Sequence, residues 1–161
     1  RTLTDDLPLD ERVWSDGDVI ERALETAKLQ PPAQAIATLR PAVDLINGMP
    51  FAGTSYLWPD AEGIASELVL LATAATAELA AHCLSVGDVS GVFAATARGL
   101  QVLPGHEELI GVRMRAHAKV GDRAGVRAEW ESYERVLVGD PWSDGEPSPK
   151  LVDLRRSLLR G

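Results

Sequence analysis

The sequence predicts an all-α domain, built as a stack of antiparallel helical hairpins with about seven helices. Apolar residues recur at helical spacing along most of the chain, and no stretch shows the alternation of a half-buried strand. Alanine is abundant and aromatic residues make up only 5% of the sequence, which favours closely packed helices. Gly87-Asp88 and Gly121-Asp122 lie 34 residues apart (121 − 87), the period of the tetratricopeptide helix–turn–helix unit. We therefore expect a tetratricopeptide-like stack, an architecture that presents a surface to a partner.

The composition is that of one soluble globular domain. The 161 residues are 45% hydrophobic and 25% charged, enough for a single core. Cys83 is the only cysteine, which excludes a disulfide framework and a thiolate zinc site within one chain. No apolar run approaches the roughly 20 residues that span a bilayer. The chain starts at Arg1 with no Met and no signal-like segment, so we expect it to be part of a longer protein.

The net charge of −8 is concentrated in the first half of the chain. Residues 1–80 contain 13 acidic and 5 basic residues, whereas residues 81–161 contain 11 of each. Because an acidic surface repels the phosphate backbone, we expect this segment alone to bind nucleic acid poorly.

Residues 1–15 lack a helical period and are predicted to form an extended N-terminal arm or linker, with Trp14 packed into the edge of the domain. Residues 16–161 are predicted to form the single domain. Its first helix opens at Asp16-Gly17-Asp18, where Asp16 or Asp18 can act as the cap. The inward stripe of this helix is predicted to be Ile20, Leu24 and Ala27.

The second helix is predicted to start at Gln30-Pro31-Pro32, because proline is tolerated in a first turn. Its apolar residues recur at +3, +4 and +3, as on one face of an amphipathic helix. They are Ile36, Leu39, Val43 and Ile46. Pro41 lies inside this pattern and predicts a kink or a late start near Thr38–Arg40. Gly48 is the predicted end of the helix.

Met49–Pro59 is predicted to be an ordered loop, because it has three aromatic residues within eight positions. They are Phe51, Tyr56 and Trp58. Two interpretations stay open: these rings tuck beneath neighbouring helices, with the Tyr and Trp polar atoms bonded, or they form an exposed docking patch.

Asp60 is predicted to cap the longest helix, which runs over Ala61–Val86 and serves as the spine of the domain. Its inward face is predicted to comprise Ile64, Leu68, Leu71, Ala75, Leu79 and Val86.

Four further helices complete the predicted domain. They cover Val89–Leu103, Glu107–Val120, the stretch after Gly121-Asp122, and a closing segment that begins at Ser148-Pro149. Glu107–Val120 has apolar residues on two faces, which places it between neighbouring helices. Gly99 fits a small-residue position of the tetratricopeptide pattern.

No set of residues in the sequence indicates catalysis, a cofactor or a metal. Gly53–Leu57 has the start of a nucleophile elbow around Ser55, but the final glycine and a preceding strand are lacking. His82 and Cys83 point about 100° apart on a helix, so they do not form a dyad, and Cys83 is predicted to be buried. His106 and His117 lack second ligands at metal spacing. A hydrolase that uses Ser55 or Cys83 would require a base beside one of them.

One concentration of basic residues stands out. It consists of Arg113, Arg115, Lys119, Arg123 and Arg127. Arg123 and Arg127 lie four residues apart on one helix face, and Glu131 is the expected ion-pair partner of Arg127. Three interpretations are considered: a solvated and paired face, a docking strip for an acidic partner segment, or a nucleic-acid contact.

Three sequence motifs in the right order resemble the bacterial transcriptional activator domain, found in Streptomyces antibiotic regulatory protein-type and LysM-linked actinobacterial regulators. The motifs are Ala42–Gly53, Tyr56-Leu57-Trp58 followed by Ala61-Glu62-Gly63, and Glu146–Pro149 with the Leu- and Arg-rich closing helix. The resemblance covers roughly residues 16–161. The sequence departs from the pattern at Pro41, where the family usually continues the helix with a polar residue.

The resemblance implies a non-catalytic, cytoplasmic interaction or oligomerisation module of a larger transcription regulator. DNA would be read by a separate domain outside this chain, and the full-length protein could be attached to a membrane that this segment does not touch. Expected partners are proteins, either a second copy in a homodimer or another regulator or the transcription machinery. Alternatives are direct help in DNA binding through the basic strip at 113–127, or a scaffold role in an envelope-linked LysM-type protein.

The residues expected to bind protein come from the basic strip and the aromatic loop. They are Arg113, Arg123, Arg127, Phe51, Tyr56 and Trp58. No cofactor is expected.

Overall fold

A computed structural model of the chain describes residues 14–53, 62–141 and 145–160. Within these ranges there are seven helices and no strand, which confirms the predicted all-α stack. The helices are α1 (Asp16–Ala27), α2 (Pro32–Val43), α3 (Ile64–Val86), α4 (Val89–Val102), α5 (Glu107–Lys119), α6 (Arg123–Gly139) and α7 (Pro149–Arg160). The predicted arm up to residue 13, and Asp60 as a cap, lie outside the described residues.

Helix α1 begins with a capping box, in which Ser15 is the N-cap. The Ser15 hydroxyl accepts a hydrogen bond from the Asp18 backbone N–H at 3.2 Å, and the Asp18 carboxylate accepts one from the Ser15 N–H at 2.8 Å. The prediction of Asp16 or Asp18 as the cap is therefore wrong, because the serine one residue earlier places its oxygen over the third helical position. Trp14 is 46% exposed and carries the Arg22 guanidinium 4.3 Å above its ring, so its predicted core position is also wrong.

Helix α2 starts at Pro32 and includes Pro41, so no late start occurs. The helix ends at Val43, which makes the predicted end at Gly48 wrong. The Arg98 guanidinium of α4 explains this early end, because it donates hydrogen bonds to the backbone oxygens of Asp44 at 3.2 Å and Ile46 at 2.8 Å. These bonds satisfy carbonyl groups beyond the helix end, while Ile46 stays buried in the core as predicted.

Helix α3 is the spine of the domain, and it contacts α1, α2, α4 and α5. It begins at Ile64, after Gly63 with φ of 77°, and so is shorter than predicted. By length and composition it could cross a membrane, but here it is the core helix of the domain. Its buried side chains are mostly small: Ala72, Thr73, Ala75, Thr76, Ala77, Leu79, Ala80 and Cys83. Val86 was predicted to face inward, yet it is 52% exposed because it lies at the turn into α4.

Two hydrophobic clusters meet at α5. Val112 and Ala116 belong to the cluster that α1 to α4 share, whereas Ile110 and Met114 belong to the cluster that α6 and α7 complete. This arrangement confirms the prediction that two faces of this helix are buried.

Candidate functional site

The two Gly-Asp turns adopt the same geometry. Gly87 and Gly121 have φ of 83° and 75°, the left-handed region that glycine enters without strain. The Asp88 N–H bonds the Cys83 carbonyl at 2.9 Å, and 34 residues later the Asp122 N–H bonds the His117 carbonyl, also at 2.9 Å. The sequence repeat is therefore a structural repeat of two helical hairpins, α3–α4 and α5–α6.

The aspartates of both turns cap the following helix in the same way. Asp88 accepts a hydrogen bond from the Gly91 N–H, and Asp122 accepts one from the Gly125 N–H, each at 2.8 Å. This backbone bond is the main reason why the pKa of each carboxyl lies below its ordinary value. A Cβ atom on Gly91 or Gly125 would lie 2.3 Å from the capping carboxylate, so both repeats require glycine at this position.

The repeats differ in the side chain that faces the cap. Cys83 of the first repeat is fully buried, and burial raises the pKa of its thiol, so the reactive thiolate is disfavoured. Among the described residues, the hydrogen-bond partner of the Cys83 thiol is the Asp88 carboxylate and not a histidine, so no cysteine–histidine dyad is formed. His117 of the second repeat has its Nδ1 atom 2.9 Å from the Asp122 carboxylate and its Nε2 atom 3.4 Å from that of Glu129.

Arg113 is the centre of a polar cluster between α4, α5 and α6. Its guanidinium donates two hydrogen bonds to Glu129, at 2.8 and 2.6 Å, and one to the Thr96 hydroxyl at 3.2 Å. The same guanidinium lies 4.9 Å from the ring centroid of Phe93. Burial by itself would raise the pKa of Glu129, but the hydrogen bonds and charge of Arg113, with a smaller contribution from His117, lower it overall. With only 20% of its side chain exposed, Arg113 joins the three helices from within.

Arg123 and Arg127 lie exposed on α6, apart from this internal cluster. The expected ion pair between Arg127 and Glu131 is not formed in the described part of the chain, and that prediction is wrong; the Glu131 backbone oxygen instead accepts from Arg135 at 3.3 Å. Lys119 donates to the Leu84 carbonyl at 2.7 Å and so ties the two turns together. The basic strip predicted from the sequence is therefore divided between internal and exposed groups.

The turns also expose apolar side chains at equivalent positions. Val86 and Val120 each precede the turn glycine, and 52% and 60% of their surfaces are exposed. We call Val86, Val120, Arg123 and Arg127 the turn-side surface. It combines apolar contact area with two arginines, a composition typical of protein interfaces.

Phe51 borders a groove between α1 and α3. The groove has a volume of about 440 Å³, and its walls include Ile20, Ile46 and Leu68. Phe51 has φ of 57° and is 36% exposed, so it is neither fully tucked under the helices nor fully presented to solvent. Tyr56 and Trp58, the other aromatic candidates, lie outside the described residues, as does Ser55.

A half-buried carboxylate that the sequence did not single out as a functional group holds α7 in place. Glu107, at the start of α5, accepts a hydrogen bond from the Tyr133 hydroxyl at 2.5 Å and another from the Ser148 hydroxyl. The Ser148 backbone N–H adds a third hydrogen bond at 3.3 Å. Burial opposes ionisation of Glu107, yet these bonds lower its pKa overall. Because Ser148 is 41 residues away in sequence, no local pattern could indicate this contact.

The described residues contain no group of three or more His, Cys, Asp or Glu side chains that could hold a metal ion. The side chains that could take part in acid–base or nucleophilic chemistry are buried or bonded within the fold. They are Cys83, His117, Arg113 and Glu107. The turn-side surface and the groove beside Phe51, in contrast, are open to solvent.

A family model described as bacterial transcriptional activator domain matches residues 9–159. Neither the curated proteins nor the solved structures contain a match to the chain.

Proposed function

We propose that this chain, which belongs to the bacterial transcriptional activator domain family, is the non-catalytic interaction module of a larger transcription regulator. The family is a regulatory one, not a catalytic one, so a role in transcription regulation follows from membership. The module would work in the cytoplasm through contacts with a second copy or with a protein of the transcription machinery. DNA would be read by a separate domain.

The turn-side surface is the observation that carries this proposal. Two repeated hairpins bring Val86 and Val120 to equivalent exposed positions, and α6 adds Arg123 and Arg127, for which no ion pair is formed in the described residues. Arginine beside apolar side chains suits an acidic protein segment, because the guanidinium forms paired hydrogen bonds with carboxylates while the valines bury apolar area.

Direct help in DNA binding, the main alternative, has weaker support. Arg113 is bonded to Glu129 and Lys119 to the Leu84 carbonyl, so two of the five basic residues of the strip are engaged inside the domain. The chain as a whole carries a net charge of −8, which repels phosphate. The scaffold role in an envelope-linked LysM-type protein is favoured by no particular contact of the described residues.

The test fuses the chain to a heterologous DNA-binding domain and measures transcription from a promoter that carries the matching operator. We expect activation above the level of the DNA-binding domain alone, and about a tenfold loss in Arg127→Glu, as for a charge central to an interface. Lys28→Glu is the matched control, because it makes the same charge change at an exposed turn between α1 and α2. It should activate as the unaltered chain does.

A fusion that neither activates transcription nor self-associates would overturn the proposal. Equal losses in Arg127→Glu and Lys28→Glu would show that net charge, and not the turn-side surface, matters. Salt-sensitive retardation of duplex DNA by the isolated chain, abolished by Arg127→Glu, would favour the DNA-binding alternative instead.

A further inference from the structure

The two ends of the helical stack carry complementary surfaces. The first is a second groove between α1 and α3, next to the groove that Phe51 borders. It has a volume of about 510 Å³, and its apolar walls include Leu68 and Leu71. Three carboxylates line it: Asp18, Glu21 and Glu67. Leu70, also on its lining, is 67% exposed. We call this surface the acidic groove.

The second surface is one flank of α7. Val152 and Leu159, both half-buried, line a depression of about 330 Å³ together with three arginines. These are Arg155, Arg156 and Arg160. The Arg155 guanidinium lies 4.8 Å from the ring centroid of Trp130, and its Nε atom is buried without a hydrogen-bond partner in the described part of the chain. We call this surface the basic flank.

The charges of the two surfaces match in number, and of the groove carboxylates only that of Asp18, which is held by the Ser15 capping box, accepts hydrogen bonds from the described residues. Glu21 and Glu67 form no ion pair in the described residues, nor does Arg160. Arg156 pairs there only with Asp153 on its own helix, at 3.0 Å and with both side chains mostly exposed, and such pairs contribute little. Each surface also offers aliphatic side chains between its charges. The two surfaces are therefore complementary in charge, and both offer apolar area that a contact between them would bury.

The two surfaces cannot meet within one copy of the fold. Among the described helices, α1 contacts only α2 and α3, whereas α7 contacts only α5 and α6, so the surfaces lie at opposite ends of the stack. We propose that the basic flank of one copy docks into the acidic groove of a second copy, so that the domain self-associates head to tail. This inference rests on the proposed function and deepens it by naming the self-contact. Such a contact closes into a pair or ring, or it continues as an open chain.

The test is a charge swap followed by sedimentation velocity over a range of protein concentrations. At low ionic strength, with a Debye length above about 10 Å, the unaltered chain should gain mass as its concentration rises. Glu21→Arg with Glu67→Arg reverses the groove, and Arg156→Glu with Arg160→Glu reverses the flank. Each double variant alone should associate at least about tenfold more weakly, because like charges then face each other.

Mixing the two double variants should restore association, because every groove then meets a flank of opposite charge. Glu25→Arg is the control, since Glu25 is exposed on α1 without lining the groove, and it should associate normally. Circular dichroism of each variant checks that it is folded. The mixture also guards against trivial loss of structure, because misfolded chains would not complement each other.

Three outcomes would overturn the inference: a chain that stays monomeric at every concentration, association that neither reversal weakens, or a mixture that fails to recover. The last outcome would mean that at least one surface binds something other than its proposed counterpart. In each case the reporter fusion described above still tests the proposed function, since Arg127 belongs to neither surface.

Discussion

Replacing Gly99 with alanine should destabilise the domain, although alanine is the better helix former. Gly99 lies within α4 where that helix crosses α3 and α5. A Cβ atom there would lie 2.3 Å from the Thr76 hydroxyl oxygen and 2.5 Å from a Leu109 methyl carbon. Thr76 and Leu109 are both fully buried, and the Thr76 hydroxyl is fixed by hydrogen bonds to its own helix. The helices must therefore separate to admit a single methyl group.

The magnitude follows from two opposing effects. Overpacking a closed core costs about 1–3 kcal/mol, and two contacts this short place Gly99→Ala near the upper value. The gain in helix propensity offsets about 1 kcal/mol, which leaves a net loss of about 2 kcal/mol. For a domain of this size, such a loss lowers Tm by about 4–8 °C.

Gly139→Ala is the matched control for this prediction. Gly139 also lies in a helix, at the end of α6, but a Cβ atom added there would meet no other part of the described chain within 4 Å. We expect that variant to be as stable as the unaltered chain or slightly more stable. Urea unfolding followed by circular dichroism measures both free energies of unfolding. Unchanged stability in Gly99→Ala would refute the inferred close contact among α3, α4 and α5.

Two further predictions concern the half-buried carboxylates of Glu107 and Glu129. Ser148→Ala should lower the free energy of unfolding by about 1–2 kcal/mol, because the Glu107 carboxylate loses a hydrogen bond, and amide hydrogen exchange should locate the weakened region at α7. Loss of protection elsewhere but not in α7 would contradict this. Because the folded pKa of Glu129 lies below its ordinary value of 4.5, the stability it contributes is present above that value and is lost as pH falls through the folded pKa. Arg113→Met should lower the free energy of unfolding by about 3 kcal/mol at neutral pH, because the Glu129 carboxylate is left without its arginine partner. The difference in free energy of unfolding between this variant and the unaltered chain should become smaller in acid. Urea unfolding at several pH values measures this difference.

The helices and turns were largely predictable because they depend on neighbours within a few residues. The 34-residue spacing of the Gly-Asp pairs predicted two equivalent turns, and the structure has the same capping bonds in each. The small residue at Gly99 and the burial of Cys83 were also predicted correctly. Two of the errors lie at helix ends: Ser15 caps α1 in place of Asp16 or Asp18, and Arg98 from another helix bonds the carbonyl groups beyond the end of α2.

The candidate surfaces were only partly predictable, because sequence gives the charge of a residue but not its partner. Arg113 and Arg127 look equivalent in the sequence. In the fold, Arg113 is bonded to Glu129, while Arg127 is exposed. The acidic groove and the basic flank could not be identified either, since each is assembled from residues whose relation depends on helix packing.

The sequence by itself determined the fold class, the repeated turns and membership in a regulatory family, since each depends on local spacing or on motifs in order. Only the tertiary structure decided which charged side chains form ion pairs or hydrogen bonds within the domain. Arg113 meets Glu129 across 16 residues, Glu107 meets Ser148 across 41, and Arg98 meets the Ile46 carbonyl across 52. The physical reason is that ion pairs and hydrogen bonds act over a few ångströms, and only the packing of the helices sets those distances.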